Sequence, residues 1–246
     1  MAPTLTLAVD TSSRVGSLAV LRDTGIVGVV STFSDEAYSS RMFRQLEFLL
    51  AELRVGLAEV DLFAVVSGPG SFTGLRVGLT AVKGWAEVYQ RPIAAVSGLE
   101  AIASEARSSA RYVAAVMDAR RGEIYGALYE RTAEGYAERV SECVLPAEEF
   151  FAQVFALVRE QSAENEILFA TPAAELVRGA LSNARFSVAA VVEVSPVLAP
   201  AVGRLGIERA TRGKLVNAID LDANYIRRSD AEVARRPSES RPENAQ

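Results

Sequence analysis

The chain has 246 residues, half of them apolar, and a formal charge of -5, so it can bury a sizeable core in two lobes but cannot grip a phosphate backbone unaided, since that affinity comes from Lys and Arg displacing counterions. With no histidine and a single cysteine, Cys143, it cannot build a Ser-His-Asp triad, a Cys-His pair, a His-containing zinc site or an internal disulfide. No stretch approaches about 18 consecutive apolar residues, and the start shows no basic segment leading into a long apolar core; a soluble, cytoplasmic protein without membrane contact is expected.

Leu5–Val9 is a short apolar run closing on Asp10-Thr11-Ser12-Ser13, followed by Ser17–Leu21 and, after Asp23-Thr24-Gly25, by Ile26–Phe33. This pattern predicts a three-stranded antiparallel meander. From Ser39 to Leu53, apolar residues at Met42, Leu46, Leu49, Leu50 and Leu53 have helical spacing, with Asp35 and Ser39 as candidate caps. Phe43 falls at the edge of that stripe and Phe48 on the opposite face, so the helix either carries two ordinary surface aromatics or has a second thing to touch.

Leu62–Val66 reads as a buried strand running into Ser67-Gly68-Pro69-Gly70-Ser71-Phe72-Thr73-Gly74, and a helical pattern then lasts to Tyr89. Strand, glycine turn and helix suit an anion, because the N–H groups of a helix start are unpaired. The Gly-Lys-Ser/Thr ending of a phosphate loop is absent, however, and Gly68-x-Gly70-x-x-x-Gly74 is one residue too long for the dinucleotide fingerprint. A tight structural turn remains the alternative. On the helix, Leu75, Leu79, Val82, Ala86 and Tyr89 form one apolar line, and Val77, Ala81, Val88 and Trp85 another, with Gly74, Gly78 and Ala81 between them. An arc this wide implies burial against the chain's own sheet and against a second domain or chain, unless all of it is buried within one chain.

After Arg91-Pro92, Ile93–Val96 reads as a strand and Gly98–Ala106 as a helix; then the pattern restarts. Tyr112–Met117 ends in Asp118-Ala119-Arg120-Arg121-Gly122-Glu123 and leads to Ile124–Tyr129, an internal repeat of about 108 residues counted from Asp10 to Asp118. Two such halves predict an α/β, actin/Hsp70-like (ASKHA) duplicated fold with two lobes, the second small and degenerate. Asp10 and Asp118 are then candidates for a vestigial nucleotide site, or simply turn caps. Further on, helices are expected at Ala147–Glu160 and Pro172–Leu181 and a short strand at Ile167–Ala170. The lobes are assigned to 1–107 and 108–195, with a helix in 196–226 packing back on the first, and 227–246 as a polar, disordered tail.

The string Val66–Gly78 together with Asp118-Ala119-Arg120-Arg121-Gly122-Glu123-Ile124-Tyr125 strongly resembles the TsaB (YeaZ) family, and Leu7–Ser12 and Tyr225-Ile226-Arg227 sit in the family's order. The resemblance covers most of the chain. It implies a non-catalytic accessory subunit of the system that forms N6-threonylcarbamoyladenosine at position 37 of tRNAs reading codons that begin with A. The implied partners are a TsaD-like catalytic subunit, a TsaE-like ATPase, a second copy of the chain when it is alone, and tRNA through the complex. ATP and Mg would be used by the complex, and none is bound tightly by this chain alone.

The related TsaD subunit carries a His-Leu-Glu-Gly-His metal-binding stretch; here Gly98-Leu99-Glu100-Ala101-Ile102 takes its place, with Gly98 and Ile102 at the ligand positions. The family's pairing helices map to Ser39–Leu53 and Phe72–Tyr89, with Tyr38, Met42, Phe43, Leu46, Gly74, Val77, Gly78, Ala81 and Trp85 as interface candidates, Ser67–Gly74 and Arg76 as the motif turn, and no catalytic or metal residue. Tyr38-Ser39-Ser40 departs from the His-Ser of many relatives. Arg227, Arg228, Arg235, Arg236 and Arg241 would brush tRNA or belong to a solvated tail. Two other readings stay open: an ATP-dependent small-molecule kinase using Asp10 and Asp118 around magnesium, and a protease with Ser71 or Cys143 as nucleophile, for which only Lys83 or Lys214 could serve as base.

Overall fold

The computed structural model describes residues 4–133, 135–183 and 190–227. Two five-stranded sheets share one connectivity. The first contains β1 (Leu5–Asp10), β2 (Val15–Arg22), β3 (Gly25–Phe33), β4 (Leu62–Gly68) and β5 (Ile93–Ser97) in the order β3-β2-β1-β4-β5. The second contains β6 (Tyr112–Arg120), β7 (Glu123–Thr132), β8 (Gly135–Pro146), β9 (Ile167–Thr171) and β10 (Ala190–Glu193) in the order β10-β9-β6-β7-β8. In each, an antiparallel meander is extended by parallel strands from its first member. This is the duplicated two-lobed α/β fold of the actin/Hsp70-like class. Both lobes keep all five strands; the second is abbreviated in the four-residue β10.

The helices are α1 (Tyr38–Leu53), α2 (Phe72–Tyr89), α3 (Gly98–Glu105), α4 (Ala147–Glu160), α5 (Ala174–Asn183) and α6 (Ala199–Thr211). Helices α1 and α2 cover the outer face of the first sheet and α4 and α5 that of the second, while α3 and α6 lie between the sheets. Strands β1, β4 and β6, covered on both faces, read as nearly unbroken apolar runs for that reason. Small residues let α6 sit close to the first sheet: Gly203 faces Leu21 and Gly206 faces Ala64. Arg204 pairs with Glu105 and Arg209 with Glu100, and the Ala199 N–H donates to Ser17 Oγ at 3.1 Å.

The expected caps of α1 are not used. Its N-cap is Ala37, with no side-chain bond; Ser39 lies inside the first turn, and Asp35 instead pairs with Arg14. Two strands were not anticipated. β8 carries Glu138, Arg139, Ser141 and Glu142 in its middle and forms one edge of the second sheet, and β10 forms its other edge; edge strands need no continuous apolar run. Among the described residues, no helix is long and apolar enough to cross a membrane.

Candidate functional site

The glycine turn seats the chain's own backbone. Gly68 ends β4 at φ +144°, a backbone angle that L side chains rarely adopt, and a Cβ there would overlap Asn224 O. At Gly70 a Cβ would meet Ser12 O, at Gly74 Thr11 O and at Gly78 Thr11 Oγ1. The β1–β2 turn therefore lies directly on the start of α2. Three N–H groups of the turn are engaged within the chain: Ser71 N–H donates to Ser12 O at 2.7 Å, Leu75 N–H to Ser71 O at 2.8 Å, and Gly74 N–H to Ser71 Oγ, the helix N-cap, at 3.3 Å. The glycines thus serve a tight turn packed on the chain's own backbone.

Beside the turn, a cleft of about 490 Å³ opens between the lobes, lined among others by Ser12, Arg14, Ser71, Asp118, Arg120 and Tyr225. Asp118 faces it but is committed locally, accepting the Arg120 N–H at 2.7 Å and lying 3.4 Å from the Arg120 guanidinium. Asp10 is sealed beneath. One carboxylate oxygen accepts from Ser12 N–H at 2.8 Å and Ser12 Oγ at 2.6 Å, while the other is buried without a partner. Burial raises the Asp10 carboxyl from 3.8 to about 6, against the lowering effect of the Ser12 bonds. Of the two aspartates, only Asp118 lines the cleft; Asp10 lies outside the lining.

The segment 224–227, read from the sequence as a family motif with Arg227 as a candidate tRNA contact, straps the two lobes together. On the first lobe, Asn224 N–H donates to Ser67 O at 2.7 Å; the Tyr225 ring packs 4.7 Å from that of Phe72, and its hydroxyl accepts from Arg76 Nε at 3.0 Å. The Arg76 guanidinium lies 3.9 Å from the Phe72 ring centroid. On the second lobe, Arg227 donates to Ala119 O at 2.6 Å, pairs with Glu123 and stacks on Tyr125. Asn224 Nδ2 also donates to Glu142 at 2.6 Å, and burial pushes that carboxyl up. Of the candidate tRNA-facing arginines, Arg227 is thus engaged within the chain, and Arg228, Arg235, Arg236 and Arg241 lie outside the described residues.

A family model described as TsaD, tRNA N6-adenosine threonylcarbamoyltransferase, matches residues 13–196. The chain belongs to this family. The relatives by sequence include TsaB proteins. The tRNA threonylcarbamoyladenosine biosynthesis protein TsaB of Bacillus subtilis is 33% identical over 140 residues, covering 57% of this chain and 59% of that protein. The Escherichia coli protein of the same name is 33% identical over 131 residues, covering 52% and 56%. The chain thus spans little more than half the length of the curated relatives it matches. Among solved structures, YeaZ from Pseudomonas aeruginosa superposes with a TM-score of 0.73 at 28% identity, covering 90% of this chain and 99% of that one. An uncharacterized protein with similarity to peptidase YeaZ, also from Pseudomonas aeruginosa, gives 0.75 at 29%, covering 91% and 100%. The TsaB (YeaZ) resemblance read from the motifs is correct.

The structure redistributes the family's interface candidates. Tyr38, Met42 and Leu46 are buried in the chain's own core, and Gly74 and Gly78 are covered by Thr11, so each of these five already contacts its own lobe. Tyr38 folds over Gly16, its hydroxyl donating to Ser13 O with Arg41 stacked on its ring. Phe43, Val77, Ala81 and Trp85 remain on the accessible side, with Trp85 wedged between Phe63, 5.9 Å away, and Phe43, 6.4 Å away edge-on. Val88 on the same helix is 74% exposed. On α3, Gly98 packs among Val66, Gly68 O and Met117, and Ile102 is wholly buried; neither side chain offers a metal a donor atom. Cys143 donates to Gly126 O at 3.4 Å, and burial pushes its thiol up, the wrong direction for a nucleophile.

Proposed function

We propose that the chain is a non-catalytic accessory subunit in the formation of N6-threonylcarbamoyladenosine at position 37 of tRNAs reading codons that begin with A. It acts by docking a TsaD-like catalytic subunit on the accessible face of α1 and α2. The observation that carries this reading is the filling of α3: the two positions that bind metal in the catalytic relative hold Gly98 and Ile102, packed among apolar neighbours. A chain of this fold without those ligands has a surface to offer rather than a reaction. In this reading ATP and Mg serve the assembled complex, a TsaE-like ATPase and tRNA meet the chain there, and a second copy takes the docking face when the catalytic subunit is absent. The sealed Asp10, outside the cleft lining, counts against the kinase reading.

Titration calorimetry against a TsaD-like subunit tests the docking face. Val77→Glu and Phe43→Glu are expected to weaken binding at least about tenfold, since each places a charge in an apolar contact, with the melting temperature nearly unchanged. Binding that is unaltered in both variants would move the interface elsewhere.

A further inference from the structure

Phe48 has no part in that docking face. It stands on the other side of α1, 59% exposed, beside a groove of about 300 Å³ between α1 and β3 whose lining includes Val30, Thr32, Ser34, Arg41 and Arg44. β3 ends the first sheet and has a strand neighbour, β2, on one side only. Its nine residues, GIVGVVSTF, contain no charge and no proline. Natural edges of that kind are normally protected by Lys, Pro or a covering element, because their free N–H and C=O groups template a further strand. A bulge opposite Val20–Leu21 disturbs only the start of β3 and leaves residues 28–33 regular.

Alternation along this regular part separates two environments. Gly28 faces Leu49 and Leu53 of α1, and Val30 and Thr32, on the same face of the strand, line the groove. Val29 and Phe33 point to the opposite face and are exposed. On the groove side the charge is unbalanced. The buried Arg41 guanidinium is held by Thr32 O at 3.1 Å, Thr32 Oγ1 at 3.0 Å, Arg14 O at 3.0 Å and the Tyr38 ring, while its Nε has no partner. Among the described residues no carboxylate pairs with it. Arg44 stands at the mouth, bonded to Glu36 at 2.8 Å, so two cations share one anion. Buried cations are stabilised by an anion brought close in a low dielectric.

We propose that the β3 edge and this groove form a docking site for an extended segment of a protein partner, added as a further strand with acidic side chains toward α1 and apolar ones toward Val29 and Phe33. Backbone pairing supplies affinity and alternate side chains supply selectivity, the usual division in strand addition. The site lies on the opposite side of α1 from Phe43 and does not depend on the proposed function.

The test uses two blocked seven-residue peptides, one alternating Glu and Val and one alternating Lys and Val, titrated by fluorescence anisotropy into the full chain at low salt. The Glu peptide is expected to bind at least about tenfold more tightly than the Lys peptide. Arg44→Glu is expected to abolish that preference and Val29→Lys to weaken both peptides, whereas Ile219→Lys, at an exposed position beyond the β5 edge, leaves binding unchanged. No binding, equal binding of the two peptides, or insensitivity to both Arg44→Glu and Val29→Lys would overturn the proposal. So would concentration-dependent self-association abolished by Val29→Lys, which would assign the edge to a second copy of the chain.

Discussion

Two glycines on one helix should respond in opposite ways to the same substitution. In Gly74→Ala the new Cβ would overlap Thr11 O, a backbone atom that cannot swing aside, so α2 must draw back from the β1–β2 turn. Overpacking of this kind costs about 1–3 kcal/mol, and the withdrawal also strains the 2.7 Å Ser71–Ser12 bond, about 1 kcal/mol more. The helical preference for alanine returns up to about 1 kcal/mol, leaving a net loss of about 1–3 kcal/mol. At Gly84 a Cβ meets nothing within 4 Å, so Gly84→Ala keeps the propensity gain and stabilises by about 0.5–1 kcal/mol. Urea unfolding followed by Trp85 fluorescence measures both, with the slope expected to be common. If the two variants agree in sign or differ by less than about 1 kcal/mol, the motif glycines do not serve as seats for the β1–β2 turn.

Asp10 gives the chain a pH dependence. Its carboxyl titrates at about 6 in the fold against 3.8 ordinarily, so the native state holds the proton more tightly and stability falls as pH rises from about 4 to about 6. Asp10→Asn should flatten that slope and raise stability at neutral pH by up to about 3 kcal/mol; chemical denaturation across pH checks it, and a less stable variant at pH 7 would mean that the ionised form has a partner the fold does not show. Arg227→Ala removes the bond to Ala119 O and the pairing with Glu123, a loss of about 1–2 kcal/mol. Hydrogen exchange should then quicken in the β6–β7 turn and the strap together, and a change confined to the strap would deny it a role in joining the lobes.

Much of this architecture was legible because burial imposes periodicity. The stripe at Met42, Leu46 and Leu49 and the apolar runs of β1, β4 and β6 are direct consequences of one-sided or two-sided cover, and α4 was placed at its observed bounds. The repeat from Asp10 to Asp118 was visible because both apolar runs give way to an aspartate, although only β1 ends there and β6 continues to Arg120. What a glycine is pressed against is a tertiary fact: nothing local distinguishes Gly74, beneath Thr11 O, from Gly84, facing open space. Tyr38 and Leu46 were assigned to a partner for a related reason, since an apolar helix face looks the same whether its own sheet or another chain covers it. The strap was missed because one Asn, one Tyr and one Arg without regular structure carry no period. Its only signal was an aromatic followed two residues later by an arginine.

The central claim is that this chain supplies a surface and not a reaction. Nucleoside mass spectrometry of tRNA incubated with the purified chain alone should detect no N6-threonylcarbamoyladenosine. Adding it to a TsaD-like subunit, a TsaE-like ATPase and a source of threonylcarbamoyl-adenylate should raise modification well above the level reached without it. Modification by the chain alone, or full modification by the other components in its absence, would contradict the account.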